Sequence, residues 1–337
     1  MPNMELGRRR LRGAVAPVLC YAVLGCGADD ASGSWLSRGG GGECDAPSPA
    51  WVWCDDFERD RLDSYFEYDD ADGDFVRVDG VGVAGSHGMR ARYGEGVVDA
   101  GFLHLAFGRT PQPYFEPVDG GTKQYRSLYW RHYLRVPKGW VGHGGDKLSR
   151  AMSLASPDHW GQAMIAHVWS GAPNRGWGSH LVLDPASGIG PDGTLTTTAY
   201  NDFPNLRWLG IARSRTPIFE AAHRGEWRCV EAYVALDDPG RGNGIFQLWI
   251  DGVLEAERIG LTWVGPFQEY GLNAVFVENY WNDGSPVTQE RYIDNLVVST
   301  EPIGCGPTEP VASPGSDASL DPGASPVSDA GSGLSLP

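Results

Sequence analysis

The chain has little of what a helical or membrane-spanning protein needs. Beyond its first residues, the 337-residue sequence contains no apolar run of 20 residues, and no long segment repeats apolar residues at helical spacing. What is abundant instead is 13 Trp, 13 Tyr and 11 Phe, together with 47 Gly and 24 Pro. This composition suits many short strands joined by tight turns. We therefore expect a soluble protein built from β-structure.

Positive charge is also scarce. The sequence has 27 Lys and Arg against 43 Asp and Glu, which gives a formal net charge of −16. Such a chain is not expected to bind nucleic acid, and an acidic polysaccharide would need a local basic patch. One segment supplies such a patch, because between residues 123 and 150 Asp146 is the only acidic residue. The basic residues of this segment are Lys123, Arg126, Arg131, Arg135, Lys138, Lys147 and Arg150.

No two cysteines have the short C-x-x-C spacing that is typical of zinc sites, so a metal centre is not expected. Two of the six cysteines, Cys20 and Cys26, fall in the N-terminal segment. An even number in an exported protein suggests disulfides, and the sequence leaves all three possible pairings open. The disulfide candidates are Cys44, Cys54, Cys229 and Cys305.

The ends of the chain differ from its middle. Residues 1–26 have a basic start and a short apolar stretch that ends in Val-Leu-Gly-Cys, which resembles a lipobox with Cys26 as the lipidated residue. We expect an exported protein, either a lipoprotein of the outer membrane or cell surface or a secreted protein; a cytoplasmic one is the weaker alternative. Residues 27–43 read as a flexible tether, residues 44–305 as one folded domain, and residues 306–337 as a disordered tail without aromatic or basic residues.

Residues 225–252 give the clearest structural pattern, two alternating apolar–polar segments on either side of a Gly- and Asp-rich turn. This pattern predicts a β-hairpin. Further strands are predicted over residues 51–58, 88–93, 101–108, 128–136, 162–169, 179–183, 194–200, 272–279 and 292–299. Short strands at this spacing, with no helices between them, indicate an all-β sandwich or jelly roll.

The order of several motifs resembles that of concanavalin A-like jelly rolls, and more narrowly is similar to alginate and glucuronan lyases of polysaccharide lyase family 14. The motifs are CDDFE (54–58), GSHGMRARY (85–93), YWRHYLRVPKGW (129–140), GGDKL (144–148), GEWRCVEAYVAL (225–236), FQLWIDG (246–252) and RYIDNLVVST (291–300). The resemblance implies a jelly-roll β-sandwich of two antiparallel sheets. It also implies a functional lysine at Lys147, which follows a strand, a Pro-containing turn and two glycines.

The resemblance further implies β-elimination on a uronate-containing polysaccharide. That reaction needs a cation at the carboxylate, a base for the C5 proton and an acid for the leaving oxygen. We expect Lys147 as the main cation, and His167 and Tyr200 for proton transfer. Residues expected to bind the acidic sugar are Arg131, Tyr129, Tyr133, Arg150 and Asn279. No cofactor is expected, although Asp294-Asn295 is compatible with a structural calcium or a turn.

Other interpretations remain open. The Ser-x-Arg and Tyr-x-Tyr pairs of the lyases are absent from residues 162–183, which favours a non-catalytic carbohydrate-binding surface lipoprotein as the alternative. A glycoside hydrolase is a weaker alternative, since no acidic triad occupies a central strand. A purely structural lipoprotein is a further, weaker one. His167 also fits a buried structural histidine, and Tyr200 a turn. We expect a monomer that contacts a membrane only through a lipid anchor.

Overall fold

The computed structural model describes residues 42–306, and this part of the chain consists of strands and short 3-10 helices. None of its helices is long and apolar enough to span a membrane. The strands are β1 (Trp51–Asp55), β2 (Glu67–Asp69), β3 (Phe75–Val78), β4 (Gly88–Tyr93), β5 (Asp99–Ala106), β6 (Ser127–Arg135), β7 (Asp146–Leu154), β8 (Gln162–Ser170), β9 (Leu181–Ser187), β10 (Arg207–Trp208), β11 (Ala212–Arg213), β12 (Arg228–Ala235), β13 (Gly244–Ile250), β14 (Val253–Leu261), β15 (Ala274–Tyr280) and β16 (Gln289–Ser299). The 3-10 helices are Glu43–Asp45, Leu62–Ser64, Ala71–Gly73, Val83–Gly85, Pro113–Phe115, Pro173–Arg175 and Phe203–Asn205.

The strands form two antiparallel sheets of eight strands each, which confirms the predicted jelly-roll sandwich. Sheet A has the order β14-β13-β12-β6-β16-β4-β3, with β1 also paired to β16. Sheet B has the order β10-β9-β8-β7-β15-β5-β2, with β11 also paired to β9. Most neighbours in a sheet are distant in sequence, so the chain crosses repeatedly between the two layers, as in a jelly roll.

Alternation along the strands of sheet B assigns each side chain to one of two faces. Ala151, Ala166 and Val275 belong to the main core between the sheets. Met152, Ile165 and Phe276 belong to a second apolar cluster. Because each residue of the second set follows or precedes one of the first, the second cluster lies on the face of sheet B turned away from sheet A. This face is called the outer face of sheet B.

The predicted hairpin is present as β12 and β13, which pair in antiparallel register. Most of the other predicted strands also form, within a few residues of the expected bounds. The strand predicted over residues 194–200 is wrong. That segment is a connection in which Thr194 bonds to Asp192, and local side-chain bonds of this kind compete with strand pairing. The sequence patterns also missed β7, which lies at the centre of sheet B.

Two disulfides fix both ends of the described part of the chain. Cys44 pairs with Cys54, and Cys229 pairs with Cys305, which resolves the pairing that the sequence left open. Disulfides are typical of proteins that fold in an oxidising compartment. The predicted signal peptide, Cys26, nearly all of the tether and nearly all of the tail lie outside residues 42–306.

Candidate functional site

One row of side chains crosses the outer face of sheet B. Strand register aligns them across six adjacent strands, from β2 through β5, β15, β7 and β8 to β9. Ionisable groups are concentrated in this row, whereas many neighbouring positions on the same face are apolar. In order across the sheet, the row contains Glu67, His104, Phe276, Arg150, His167 and Asp184.

The centre of the row is a group that we call the Glu278 cluster, formed by Lys147, Arg150, Tyr200, Asn201 and Glu278. One carboxylate oxygen, Oε1 of Glu278, accepts from Arg150 Nη2 at 2.7 Å, from Tyr200 Oη at 3.0 Å and from Lys147 Nζ at 3.3 Å. Arg150 Nη1 donates to Asn201 Oδ1 at 2.7 Å, and its Nη2 also donates to Tyr200 Oη. Two cations therefore share a single carboxylate in a nearly closed site.

The local backbone directs Lys147 into the cluster. A Cβ on Gly144 would lie 2.3 Å from the Phe219 ring and 2.5 Å from the Ser170 carbonyl, so only glycine fits at this point of the turn. Asp146 has a left-handed φ of 52°. A register shift then follows between Lys147 and Ser149, and such a bulge re-aims a side chain at the edge of a site. The ammonium group of Lys147 also lies 4.5 Å from the centre of the Tyr280 ring.

Burial and charge together set the protonation of the cluster. Burial opposes ionisation of Glu278, but the positive charges of Arg150 and Lys147 outweigh burial and lower its pKa to about 2. Burial lowers the pKa of Lys147, which Glu278 partly opposes. Burial also raises the pKa of Tyr200 well above its usual value. At neutral pH the cluster thus contains a carboxylate, a guanidinium and a phenol that keeps its proton.

His167 lies opposite Arg150 on the neighbouring strand. Burial, reinforced by the charge of Arg150, lowers its pKa well below 6.5, so the ring is neutral at physiological pH. The ring stacks on Trp169 with centroids 4.6 Å apart and lies beneath Trp208. Its buried Nε2 has no hydrogen-bond partner among residues 42–306. A neutral imidazole with a free nitrogen can accept a proton, and the lowered pKa makes this ring a weaker base than an exposed imidazole.

His104 occupies the other side of the cluster. Its Nδ1 lies 2.9 Å from Glu67 Oε2, and Tyr114 Oη donates to Glu67 Oε1 at 2.6 Å. The ring is stacked between Phe102 and Phe276. Burial lowers the pKa of His104, although Glu67 opposes this effect. The sequence analysis missed both His104 and Glu67, because their alignment depends on pairing between β2 and β5.

The Glu278 cluster is anchored from behind by Arg291 of β16, which is fully buried between the sheets. Its guanidinium donates to the main-chain carbonyl oxygens of Gly144, Lys147 and Glu278 at 3.1, 3.1 and 2.8 Å. It also donates to Ser170 Oγ and Asn279 Oδ1. Arg291 therefore ties sheet A to the three central strands of sheet B that carry the site.

The structure does not bring Arg131, Tyr129 and Tyr133 together with Lys147, which corrects the expectation that they share one groove. These three residues belong to β6 in sheet A, and their side chains lie on its outer face. Arg131 is 1 % exposed and pairs with Glu43 at 2.5 Å, while Tyr133 bonds with Gly306. The reason is that alternation shows which residues share a face of a strand but not to which sheet the strand belongs.

Asn279 also lies elsewhere than expected. Its side chain points between the sheets, where Nδ2 donates to the Gly101 carbonyl at 3.0 Å and Oδ1 accepts from Arg291. Its neighbour Glu278 faces the outer side instead, because successive side chains of a strand point to opposite faces.

Asp294, which the sequence made compatible with a calcium site, and Asp55 of the opening strand both have structural partners. Asp55 accepts from Phe57 N and Tyr65 Oη. Asp294 accepts from Val83 N at 2.6 Å and thereby fixes the turn around residues 82–86. Within residues 42–306, no group of three or more His, Cys, Asp or Glu side chains is arranged to hold a metal ion.

No protein-family model matches this chain, and no curated protein matches it. Several solved structures, however, are similar to it. A PL-14 alginate lyase from Aplysia kurodai is 12 % identical, with 74 % of this chain and 99 % of that chain covered and a TM-score of 0.52. An endo-β-1,4-glucuronan lyase from the fungus Trichoderma reesei is 11 % identical, with 74 % and 96 % covered and a TM-score of 0.48. The likeness to the Aplysia protein shows that this chain has a lyase-like jelly-roll fold.

Proposed function

We propose that this protein is a polysaccharide lyase that cleaves uronate-containing chains of the alginate or glucuronan type by β-elimination. The observation that supports this most is the charge of the Glu278 cluster, in which Lys147 and Arg150 share one carboxylate. A buried site with an excess positive charge is completed by an anion. In a chain of net charge −16, such a local excess favours an acidic ligand at this point.

In the proposed reaction, Lys147 and Arg150 stabilise the uronate carboxylate and the negative charge that develops beside it. Nε2 of His167 takes the C5 proton, and the electron pair of that C–H bond forms the C4=C5 double bond. The C4–O bond breaks, and the phenol of Tyr200 protonates the leaving oxygen. The phenol is suited to this role because its raised pKa keeps it protonated. The reaction requires no redox partner or organic cofactor.

The test is the ultraviolet absorbance of the unsaturated uronate product on alginate and glucuronan. We expect product with the wild type and a loss of at least about 100-fold in rate for Tyr200→Phe and His167→Gln, the usual range for a proton-transfer group. Lys147→Met is expected to lose a comparable factor. The matched controls are Tyr233→Phe in sheet A and the exposed Lys138→Met, which should retain the wild-type rate.

A non-catalytic carbohydrate-binding protein is the second candidate. The observation that favours it is that Arg150 is fully buried and already paired with Glu278, as in a purely structural ion network. In that case the wild type should be retarded in a gel containing the uronan, and no product should form. Product formation that persists at the wild-type rate in Lys147→Met and Tyr200→Phe would contradict the proposed roles of both residues.

A glycoside hydrolase fits the geometry less well. Burial raises the pKa of Asp184 to about 6, whereas that of Glu278 is about 2, and a pair of this kind can supply an acid and a base. However, Asp184 is on β9 and Glu278 on β15, three strand spacings apart. That separation is roughly 14 Å between strand axes, which exceeds the carboxylate spacing of about 5–9.5 Å in glycosidases.

A further inference from the structure

The buried guanidinium of Arg150 is incompletely satisfied. Nη2 has a charged partner in Glu278, but Nη1 has only the neutral amide oxygen of Asn201, at 2.7 Å. The third nitrogen, Nε, is buried and has no hydrogen-bond partner among the described residues. Buried donors of a charged group are normally all paired. The guanidinium therefore has a donor left over, and the one acceptor that Nη1 contacts is uncharged.

The charges around Arg150 point to a negatively charged acceptor. Lys147 and Arg150 carry two positive charges, and Glu278 supplies one negative charge. Two other carboxylates act on the cluster from farther away, but neither forms an ion pair with Lys147 or Arg150. Glu67 accepts from Tyr114, and Asp99 accepts from Gly101 N. Among the described residues, Glu278 is thus the one carboxylate that pairs directly with these two cations, and no acidic side chain contacts Arg150 Nη1.

Tyr200 and Asn201 cover this part of the site. Arg150 has no exposed surface, whereas Tyr200 and Asn201 are half-buried and lie over it. The guanidinium also lies 4.8 Å from the centre of the Tyr200 ring. An anion that is to take the position of the Asn201 amide oxygen at Arg150 Nη1 must therefore displace the Asn201 side chain.

We propose that the amide oxygen of Asn201 occupies the position of one carboxylate oxygen of a uronate, so that Asn201 gates the anion subsite at Arg150. Binding exchanges a neutral acceptor for a charged one, which forms the stronger hydrogen bond with a guanidinium. The exchange requires only that the Asn201 side chain rotates away, so Tyr200 can remain beside Glu278. This inference rests on the proposed acidic substrate and adds which residue controls its entry.

The backbone of Asn201 allows an unusually clean test. Its φ of 54° lies in the left-handed region, which glycine adopts freely and aspartate tolerates. Asn201→Gly thus removes the competing amide without straining the turn. Asn201→Asp leaves the turn intact and replaces the neutral competitor with a charged one. The two changes should act on affinity in opposite directions.

The measurement is calorimetric titration with tetrasaccharides of mannuronate and of glucuronate. All variants carry His167→Gln, which blocks turnover if the proposed reaction occurs. We expect Asn201→Gly to bind the tetrasaccharides about tenfold more tightly than the protein that keeps Asn201. The reason is that the hydrogen bond between Arg150 and Asn201 no longer has to be broken. Asn201→Asp should bind at least about tenfold more weakly. A tetrasaccharide with reduced carboxyl groups is the control ligand, and all variants should bind it with the same affinity.

Unchanged or weaker oligouronate binding by Asn201→Gly, with a wild-type melting temperature, would overturn the gating role of Asn201. Equal affinities of Asn201→Asp and Asn201 would also overturn it. The proposed lyase activity is judged separately, from product formation by the unmodified chain. Opposite affinity shifts without any product would support the subsite and reject the lyase. Product without affinity shifts would support the lyase and reject the gate.

Discussion

The buried guanidinium of Arg291 donates to the main-chain carbonyl oxygen of Glu278 at 2.8 Å, across the interface between the two sheets. The same side chain donates to the carbonyl oxygen of Lys147. A residue of sheet A therefore holds the backbone of both residues whose charges meet on the far side of sheet B. The candidate site depends on the sandwich as a whole and not only on the sheet that carries it.

Arg291→Lys should accordingly destabilise the protein although it keeps the charge. Lysine has three donors that radiate from one atom, so it cannot reach the acceptors that the planar guanidinium spans. We expect a loss of about 3–5 kcal/mol in the free energy of unfolding, the range for disrupting a buried charged network. Chemical denaturation measures this loss. The control is Arg215→Lys, whose side chain is 70 % exposed and which should change stability by less than about 0.5 kcal/mol.

Glu278 should make stability depend on pH. Its folded-state pKa is lowered from 4.5 to about 2, so its contribution is complete above the unfolded-state value and is lost as the pH falls toward about 2. Near neutral pH, we expect the free energy of unfolding of the wild type to exceed that of Glu278→Gln by roughly 3 kcal/mol. The difference should narrow steadily below about pH 4.5. Denaturation at a series of pH values tests this, and a constant difference between the two proteins would contradict it.

The pH profile of product formation should reveal the buried state of His167. An exposed imidazole base would lose activity as the pH falls through about 6.5. The pKa of His167 is well below that value, so we expect the rate to hold at pH values where an exposed imidazole would already be protonated. Because the pKa of Tyr200 is raised, ionisation of this phenol should not reduce the rate below about pH 10. A fall in kcat/KM centred near pH 6.5 would argue against His167 as the base.

The two disulfides should differ in their contributions to stability. Cys229 and Cys305 are 76 residues apart, and Cys44 and Cys54 are 10 apart. A cross-link that closes a longer loop removes more entropy from the unfolded chain, so we expect losses of about 4 kcal/mol for Cys305→Ala and about 3 kcal/mol for Cys44→Ala. Urea denaturation of the two variants compares them directly. A larger loss of stability for Cys44→Ala than for Cys305→Ala would show that local contacts, and not loop closure, determine how much each disulfide stabilises the fold.

The sequence predicts the layers of this fold better than it predicts the site. Alternation identified β12 and β13, since a half-buried hairpin leaves a pattern that is local in sequence. Arg131 and Arg150 illustrate what such patterns do not contain. Both are arginines in the same basic segment, yet one pairs with Glu43 outside sheet A and the other with Glu278 outside sheet B. Which sheet a strand joins depends on long-range pairing.

The site also depends on irregular backbone that no periodic pattern describes. The register shift between Lys147 and Ser149 brings the Lys147 side chain to the same face as Arg150 and Glu278. Tyr200 reaches the cluster from a connection that had been predicted as a strand. The residues themselves were visible in the sequence, and Lys147, Tyr200, His167 and Arg150 do converge. Glu278, the shared partner of Lys147, Arg150 and Tyr200, is brought to them by the long-range pairing of β15 with β7.

The central claim is that the Glu278 cluster acts on a sugar carboxylate. Its most direct test is to compare a uronan with the same polysaccharide after reduction of its carboxyl groups, while following the absorbance of the unsaturated product. We expect product to accumulate from the uronan and not from the reduced chain. Absence of product from alginate and glucuronan, or equal cleavage of the reduced chain, would contradict it.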